Sequence, residues 1–493
     1  MNTYIGLTIG PIYKTISLSK KTAGLWGSSY IFSYIMEKIY NKMKTYNENG
    51  EIEIITPYIE RFEKIGAGIF PDRFIFKVNN NNENYPEKLF EAIKSTKCEL
   101  IEEYSKLVSI KNNFLDDFLK FNVAKITSDE NNYMEKISNA LNILDISDFG
   151  GFKTDTCKKY SNILDYFLND NPLIKKSSMF ENSNLKNSLI FKSNDDIPST
   201  EKIKNINNNN NNNFKYTDYI VLVKADGDNL GKKLFNHTMT KEISKCLFSF
   251  SINAVNEINN YGALNIYAGG DDLLFIAPII SIDKSKTIFD LITKLKNIYE
   301  KEFNNVNNVL DTENEKTSLS FGVNIIHYKE QLFESLDDCS YLLENSKGSK
   351  NKNATSIKIT KRSGTSYKLT FSNEENFFNY FNKVINQEIN LQTLKGIAFK
   401  LNSNREFLKC IFQEEDKKTY LENYFENIFL NKENINRLKQ YENAKKLRSD
   451  FIEELIKFMI KYEEVNDTFL SKTINYIGMT KFFLEKKGDE DNE

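Results

Sequence analysis

Two short acidic motifs carry the residues best suited to chemistry in this sequence. The first, ADGDNLG, places Asp226 and Asp228 after the apolar run YIVLVK, and the second, AGGDD, places Asp271 and Asp272 after ALNIY. Each run is typical of a buried strand, so each acidic pair is expected at a strand end. Carboxylates gathered in this way repel one another unless divalent cations neutralise them. The two motifs therefore predict a metal site.

The predicted metal ligands are Asp226, Asp271 and Asp272, which meet if their strands are neighbours in one sheet. Successive strand residues face opposite sides, so one residue of the Asp271–Asp272 pair faces the site and the other braces it or shares the metal. Mg²⁺ takes one or two carboxylates and completes its coordination with phosphate oxygens and water. Two such ions activate a hydroxyl and stabilise a departing pyrophosphate. The three aspartates are accordingly predicted as catalytic residues of a nucleotidyltransferase that uses two Mg²⁺ or Mn²⁺ ions.

Further residues around the motifs are predicted to bind the nucleotide: Asp228, Asn229, Leu230, Gly231, Gly269 and Gly270. A residue two positions along a strand faces the same side, which would bring Asp228 to the site. The three residues after it would open a helix and offer backbone N–H groups to phosphates. The glycine pair is expected where a tight hairpin requires positive φ. The alternative is that both motifs are only turns, since acid–glycine pairs are common there, but two strand-borne motifs in this order favour a site.

The elements that must position these residues form two similar patterns. Residues 1–120 predict a strand, a helix, two strands and a helix, and residues 214–372 predict a β-α-β-β unit followed by a helix and a strand. Between them, 121–204 is predicted to be a helical insert and 205–213 an asparagine-rich linker too polar to fold by burial. Residues 373–493 predict a C-terminal helical bundle. The fold class is therefore α+β, with two ferredoxin-like domains.

Composition and cysteine spacing exclude several classes of protein. The 66 Lys and Arg residues nearly balance the 68 Asp and Glu residues, so any contact with RNA must be local. No apolar run approaches the roughly 20 residues of a membrane span, and the N-terminal residues show no signal-peptide pattern, so a cytoplasmic protein is expected. The five cysteines form no C-x-x-C pair and predict reduced, mostly buried thiols without a zinc site.

The GGDD hairpin and its upstream DGDNLG resemble the palm of the polymerase-cyclase large subunits of type III CRISPR complexes, which are similar to diguanylate cyclases. The segments LSFGVNIIHYK and KNATSIKITKRSG extend the likeness. At the N-terminus, GPIYKTISLSKKTAGLWGSSYIFSYI and FPDRF resemble the Cmr-type (III-B) branch. The resemblance implies that both ferredoxin-like domains are palm (cyclase) domains, of which the second carries the GGDD motif.

The same resemblance assigns roles to residues outside the acidic motifs. Lys347 matches the position where related cyclases present a lysine to the donor triphosphate, and a solvated lysine at a helix end is the alternative. Many members open with a histidine–aspartate nuclease domain, whereas this sequence has only His237 and His327 and is expected to lack one. Cys157 alone lies near the place of the family's four-cysteine zinc module. His327 is predicted to be structural, Trp26 to belong to the core, and the pair Lys20–Lys21 to meet either RNA or water.

The family resemblance implies adenylyl transfer from ATP, switched on by target RNA. The acceptor is a second ATP, giving a cyclic oligoadenylate, or S-adenosylmethionine, giving an AMP conjugate, and the missing nuclease domain slightly favours the conjugate. The acceptor pocket is expected between Gly66–Pro71 and the GGDD hairpin. The implied partners are the other subunits of a type III-B complex, crRNA, target RNA and a downstream effector activated by the messenger, with no membrane. A non-catalytic scaffold and a stand-alone diguanylate-type cyclase are the alternatives.

Overall fold

The computed structural model describes residues 1–17, 19–59, 62–79, 84–108, 118–147, 178–192, 196–208, 213–234, 239–308, 316–349, 352–372, 377–386, 392–429 and 442–487. Within these ranges, strands form one four-stranded and one six-stranded sheet. The strands are β1 (Asn2–Gly10), β2 (Ile52–Thr56), β3 (Arg73–Val78), β4 (Lys120–Ser128), β5 (Tyr219–Gly227), β6 (Leu264–Gly269), β7 (Asp272–Ala277), β8 (Leu319–His327), β9 (Ala354–Thr360) and β10 (Ser366–Ser372).

Helices cover the sheets and form the C-terminal region. They are α1 (Ile12–Ser17), α2 (Thr22–Glu48), α3 (Tyr85–Val108), α4 (Tyr133–Ser147), α5 (Ser178–Ser183), α6 (Leu189–Lys192), α7 (Thr200–Asn205), α8 (Leu230–Leu234), α9 (Thr240–Tyr261), α10 (Ile288–Glu302), α11 (Asn304–Asn308), α12 (Leu332–Lys347), α13 (Phe377–Asn386), α14 (Gln392–Ser403), α15 (Arg405–Gln413), α16 (Lys417–Phe429), α17 (Glu442–Met459) and α18 (Asp467–Leu484). In the described part of the chain, no helix is both long and apolar enough to cross a membrane.

Both sheets share one strand order. The first runs β2-β3-β1-β4, and the second contains β6-β7-β5-β8, so in each the first strand of the unit lies between the third and the fourth. The pairs β1·β3, β1·β4, β5·β7 and β5·β8 are all antiparallel. The second sheet adds β9, parallel to β8, and then β10. This order confirms the predicted α+β fold with two ferredoxin-like domains.

Strand β4 was missed at the sequence level and corrects the predicted boundary at residue 120. It pairs with the whole of β1, from Asn2↔Ser128 to Gly10↔Lys120, and therefore belongs to the first sheet rather than to a helical insert. Only Ala124 and Ser128 of its nine residues are buried. A strand with so few apolar residues on its core side gives no clear period-two pattern. The centre of the predicted insert, including Cys157, lies outside the described residues.

The start of the asparagine-rich segment is also more ordered than predicted. Asn207 is 1% exposed, and its Nδ2 donates to the carbonyl oxygen of Tyr219 at 2.7 Å, at the start of β5. Its Oδ1 accepts from the backbone N–H of Ile279 at 2.7 Å, just after β7. A buried asparagine that satisfies backbone groups at the start of β5 and just after β7 fixes the relative position of these two strands. Residues 209–212 of the predicted linker lie outside the described residues.

The C-terminal helices pack onto the second domain through aromatic side chains. Phe381 of α13 stacks on Phe289 of α10 with ring centroids 5.3 Å apart, and it also contacts Phe483 of α18 at 5.8 Å. The Lys361 ammonium pairs with the Glu485 carboxylate just beyond α18 at 2.9 Å. The predicted helical region is therefore present and anchored. Of the four described cysteines, Cys98 and Cys410 are exposed, against the prediction of mostly buried thiols, and none forms a disulfide.

Candidate active site

Strand β5 carries Asp226 to the edge where the acidic motifs meet. The strand is central in its sheet, with Asp226 opposite Ser320 of β8 and Ala225 opposite Leu273 of β7. The apolar residues before it are almost fully buried, which fixes the register because a slip of one residue would expose them. Asp226 therefore lies next to the β6–β7 hairpin, as the sequence predicted.

The β6–β7 hairpin places Asp271 in its turn and Asp272 at the first position of β7, opposite Gly269. Of the two glycines, only Gly270 has a positive φ, of 70°. Gly269 therefore does not need the left-handed conformation that the sequence analysis assigned to both. The Ser251 hydroxyl of α9 donates to the Gly270 carbonyl oxygen at 3.1 Å. This bond ties the tip of the hairpin to a long helix.

Close approach of the hairpin to β5 depends on Gly227, which the sequence analysis did not single out. A Cβ at this position would lie 2.8 Å from both Cβ and Oδ2 of Asp271 and 2.6 Å from Cδ1 of Leu230. Real Cβ atoms do not approach heavy atoms so closely, so any side chain here would push the hairpin away. The glycine between Asp226 and Asp228 in the DGD motif is thus the residue that admits the Asp271 carboxylate.

The three predicted ligands are close enough for their charges to raise the pKa values of Asp271 and Asp272. Burial, then the charges of Asp272 and Asp226 and a hydrogen bond with Asp226, raise the pKa of Asp271 well above its usual range. Burial and the Asp226 charge raise the pKa of Asp272 to about 7, although Lys224 and Lys347 oppose this shift. A nearby negative charge disfavours ionisation of a carboxyl group and so raises its pKa. The structure therefore brings the three predicted aspartates into one cluster.

Lys347 lies at this cluster, at the last position of α12. Its ammonium forms an ion pair with Asp226 Oδ2 and donates to the Gly227 carbonyl oxygen at 3.2 Å. Helix α12 reaches the strand because Gly322 of β8 leaves room: a Cβ there would lie 2.5 Å from the Cys339 carbonyl oxygen. Lys347 is thus a partly buried lysine paired with a predicted ligand, and the alternative of a solvated helix-end lysine does not describe it.

Asp228 does not face the cluster. Its Oδ2 accepts hydrogen bonds from the hydroxyls of Ser318 at 2.6 Å and Ser320 at 2.8 Å, and from the backbone N–H of Asn353 at 3.0 Å. The residue is only 1% exposed. Strand β5 ends at Gly227, so the alternation of faces that predicted a shared side stops before Asp228. Asp228 instead joins the end of β5 to the start of β8 and to the segment that precedes β9.

The residues that follow Asp228 form a tight bend. Asn229 adopts a left-handed conformation with φ of 63°, and its Oδ1 accepts from the Lys352 ammonium at 2.9 Å. Leu230 is buried and begins α8, which spans only five residues, while the space that a Cβ would occupy at Gly231 is open. The predicted phosphate contacts of these three residues stay predictions.

The remaining candidates from the sequence lie elsewhere. His327 pairs with Tyr219 at the far end of β5 from Asp226, about 23 Å away at 3.3 Å per strand residue. Its ring contacts Tyr219, and burial and the Arg362 charge lower its pKa, as for a structural histidine. Trp26 is fully buried and donates to the Gly66 carbonyl oxygen at 3.0 Å. His237 lies outside the described residues.

The expected acceptor side lies against β6. Gly68 forms a parallel bridge with Tyr267, and the Ala268 N–H donates to the Gly68 carbonyl oxygen at 3.0 Å. The carboxylates of Asp272 and Asp226 add to burial in raising the pKa of the Tyr267 hydroxyl. The segment Gly66–Pro71 of the first domain is therefore joined to the strand that leads into the GGDD hairpin.

Both halves of this arrangement match known family models. Residues 219–356 match the model described as Cas10/Cmr2, second palm domain, and residues 4–108 match the model described as CRISPR-associated protein Cmr2, N-terminal. The two matched regions, which together make up about half of the chain, belong to the Cas10/Cmr2 family. The predicted resemblance to this family is confirmed, and the domain that holds Asp226, Asp271 and Asp272 is its second palm.

A curated relative is the CRISPR system Cmr subunit Cmr2 of Pyrococcus furiosus, 26% identical over 247 residues. This match covers 43% of the present chain and 27% of the relative, so the chain spans about a quarter of that protein. The apo Type III-B Cmr-beta structure determined by cryo-EM matches 98% of this chain and 82% of its own at a TM-score of 0.54 and 12% identity. At identities this low the likeness shows a shared fold.

Two crystal structures of a Csm1–Csm4 cassette are also similar. The apo form matches 98% of this chain and 70% of its own at a TM-score of 0.53 and 12% identity. The form in complex with AMPPNP gives the same coverages and identity at a TM-score of 0.50. The chain thus shares its fold with chains of a Type III-B Cmr-beta structure and of a Csm1–Csm4 cassette.

The carboxylates of the second palm fit a divalent cation only with help from a ligand. In the described part of the chain, no three carboxylate, imidazole or thiolate side chains surround one metal position. Asp226 and Asp271 are in hydrogen-bonding contact, which gives a pair. Mg²⁺ binds through one or two carboxylates together with substrate phosphates and water. The pair and the adjacent Asp272 fit an ion that arrives with a nucleotide.

Lys224 is a further residue that sequence reasoning missed. It lies two positions before Asp226 on the same face of β5, and with Lys347 it opposes the rise in the pKa of Asp272. Its ammonium also donates to the Ser340 hydroxyl of α12 at 3.2 Å. The alternation of strand residues was a signal that could have found it. The serines that hold Asp228 had no comparable signal, because their contacts depend on how distant segments meet.

Proposed function

We propose that the chain is a nucleotidyltransferase that uses ATP as its adenylyl donor at the second palm. The observation that carries this proposal is the convergence of Asp226, Asp271 and Asp272 beside Lys347. The match of residues 219–356 to the Cas10/Cmr2 second palm supports it, because that palm is of the polymerase-cyclase type. A related Csm1–Csm4 cassette has been determined in complex with AMPPNP, which supports ATP as the nucleotide.

The roles of the residues follow from their charges and contacts. Asp226 and Asp271 would hold the metal ions, with Asp272 beside them. Bound Mg²⁺ or Mn²⁺ supplies the positive charge that activates a ribose hydroxyl and neutralises the departing pyrophosphate. Lys347 already lies against Asp226, and its ammonium is placed to contact a triphosphate that enters at this edge. Gly227 keeps the space in which the hairpin carries Asp271 to Asp226.

The product is either a cyclic oligoadenylate or a conjugate of AMP with S-adenosylmethionine, and we favour the conjugate. The acceptor would bind between Gly66–Pro71 and the hairpin, where the bridge from Gly68 to Tyr267 joins the two palms. Within the cell, we propose that the chain acts with other subunits of a type III-B complex, with crRNA and target RNA, and that its product activates a downstream effector. This activity would be switched on by target RNA.

A direct assay tests the proposal. The full chain, alone and within its complex with crRNA and target RNA, is incubated with Mg²⁺ or Mn²⁺ and labelled ATP, GTP or S-adenosylmethionine. We expect labelled products from ATP and a loss on the order of 10³-fold in the variant that combines Asp271→Ala with Asp272→Ala. The matched control combines Glu414→Ala with Glu415→Ala, an exposed pair of adjacent acids with the same charge change.

The outcomes separate the candidate functions. Product formation by the Asp271→Ala, Asp272→Ala variant at a tenth or more of the wild-type rate would reject the site. Products formed from GTP but not from ATP would instead identify a diguanylate-type cyclase. The absence of any product under all conditions would indicate a non-catalytic scaffold. Mass spectrometry decides the acceptor: cyclic adenylates formed equally with and without S-adenosylmethionine, and no mixed adduct, would reject the conjugate.

A further inference from the structure

A second candidate site lies in a groove of about 1060 Å³ between the two palms. Three segments line it: 19–23 before and within the start of α2, 197–201 before and within α7, and 328–333 after β8. The last segment follows His327 of β8, which pairs with Tyr219 at the end of β5 away from Asp226. The groove is therefore separate from the carboxylate cluster.

Three lysines line this groove: Lys20, Lys21 and Lys329. Among the described residues, no carboxylate lies within ion-pair distance of any of them, although other lysines of the chain form many such pairs. The groove also contains Glu201 and Glu330, so the charged side chains leave one net positive charge. Lysines without a carboxylate partner are available to bind an anion.

Two helices begin at the same groove without a side-chain cap. Helix α2 follows Lys21 and has no acidic residue in its first turn, and no side chain accepts a hydrogen bond from its first N–H groups. Helix α12 follows Gln331 and likewise has no side-chain cap, although its first turn contains Glu334. The first N–H groups of a helix have no partner within the helix and carry partial positive charge. The start of α2, with no acidic residue in its first turn, therefore adds to the attraction for an anion.

Ser19 provides an independent sign of a ligand. Its hydroxyl is buried, with the residue 1% exposed, and it has no hydrogen-bond partner among the described residues. It lines the groove beside Lys20. A buried hydroxyl without a hydrogen-bond partner destabilises the fold unless a ligand supplies that partner. An oxygen-bearing ligand in the groove would do so.

Aromatic side chains decide the class of ligand. Phe333 is 46% exposed at the groove, which is unusual for its type, and Tyr328 lies in the same segment with the Lys329 ammonium 5.5 Å from its ring centroid. Single-stranded nucleic acids are bound by lysines that follow the phosphates and by aromatic rings that stack on the bases. We propose that this groove binds single-stranded RNA, with phosphates at the lysines and helix ends and a base on Phe333.

Salt dependence of binding measures the phosphate contacts directly. We would follow the anisotropy of a fluorescein-labelled uridine decamer with the full chain between 50 and 300 mM KCl. Each phosphate contact to a single strand contributes about 0.7 to the slope of log K against log salt. Combining Lys20→Ala, Lys21→Ala and Lys329→Ala should therefore reduce the slope by about 2. The matched control combines Lys44→Ala, Lys409→Ala and Lys418→Ala, three exposed lysines elsewhere, and should leave the slope unchanged.

A second variant tests the base contact. Phe333→Ala should weaken binding by about five-fold or more at an unchanged salt slope, because stacking is lost and no charge is. Replacing the three groove lysines by arginine should restore the wild-type slope, which separates lost charge from misfolding. An unchanged slope in the triple alanine variant would overturn the proposal. The proposal would also be overturned if polyglutamate displaced the RNA and Phe333→Ala had no effect on binding. That result would identify a site for acidic peptides.

Discussion

Replacing Asp228 should destabilise the fold, whereas replacing Asp271 should not. The Asp228 carboxylate accepts three hydrogen bonds, at 2.6, 2.8 and 3.0 Å, in a site where it is 1% exposed. Hydrogen bonds to charged groups contribute about 1.5–3 kcal/mol each, and breaking a buried network costs about 3–5 kcal/mol in all. Asp228→Ala leaves two hydroxyls and one N–H without their acceptor, so we expect a loss of about 3–5 kcal/mol.

The expected shift in melting temperature follows from the size of the protein. Each kcal/mol corresponds to about 2 °C in a large domain, so Asp228→Ala should lower Tm by about 6–10 °C. Asp271→Ala removes a carboxylate whose pKa is raised by burial and by the charges of Asp272 and Asp226. Its removal relieves repulsion, so in EDTA its Tm should equal or exceed that of the wild type.

Thermal melts followed by circular dichroism at pH 7.5 in EDTA make the comparison. Asp228→Asn is the matched control, because it keeps one carbonyl oxygen as an acceptor and should fall between the wild type and Asp228→Ala. The reasoning fails if Asp228→Ala melts within 1 °C of the wild type. It fails equally if Asp271→Ala is as destabilised as Asp228→Ala, since the two aspartates would then have the same structural role.

Three further predictions concern the cluster itself. Gly227→Ala should lower nucleotidyl transfer at least ten-fold at a small cost in Tm, because its Cβ would lie 2.8 Å from Asp271; wild-type activity would contradict the packing. Lys347→Ala should raise KM for ATP more than Lys347→Arg does, as steady-state kinetics would show, and equal values for both would exclude a charge contact. The folded-state pKa of Asp272, about 7, lies above its unfolded value, so the unfolded chain binds fewer protons. Its contribution to stability in EDTA should therefore fall as pH rises from about 4 to about 7, and Asp272→Asn should flatten the pH profile of urea midpoints over that window.

The sequence predicted the elements whose signals are local. The strand before Asp226 and the hairpin at Gly269–Gly270 follow from apolar runs and turn residues that lie next to one another in the chain. The repeat of two ferredoxin-like units follows from the order of such runs. Strand β4 was missed because its apolar pattern is weak, and its place is fixed by pairing with β1, far away in sequence.

Roles that depend on contacts between residues far apart in sequence were harder to predict. The direction of Asp228 is set by Ser318, Ser320 and the backbone of Asn353, and no rule of periodicity applies after β5 ends. Lys347 was found through resemblance, and its ion pair with Asp226 depends on how α12 packs against Gly322. The groove at Lys20 and Lys329 could not be predicted, because its walls come from three separate parts of the chain.

The bridge between Gly68 and Tyr267 links the two palms mechanically. Gly68 packs closely against α2, since a Cβ there would lie 2.8 Å from Cβ of Ser33. A second tie, from the Asn259 amide to the Ile65 carbonyl oxygen at 2.7 Å, runs beside it. A rotation of the first palm therefore either breaks these hydrogen bonds or moves β6 as well. Because β6 ends at the glycine turn, the distances between the carboxylates depend on the orientation of the first palm, which carries none of them.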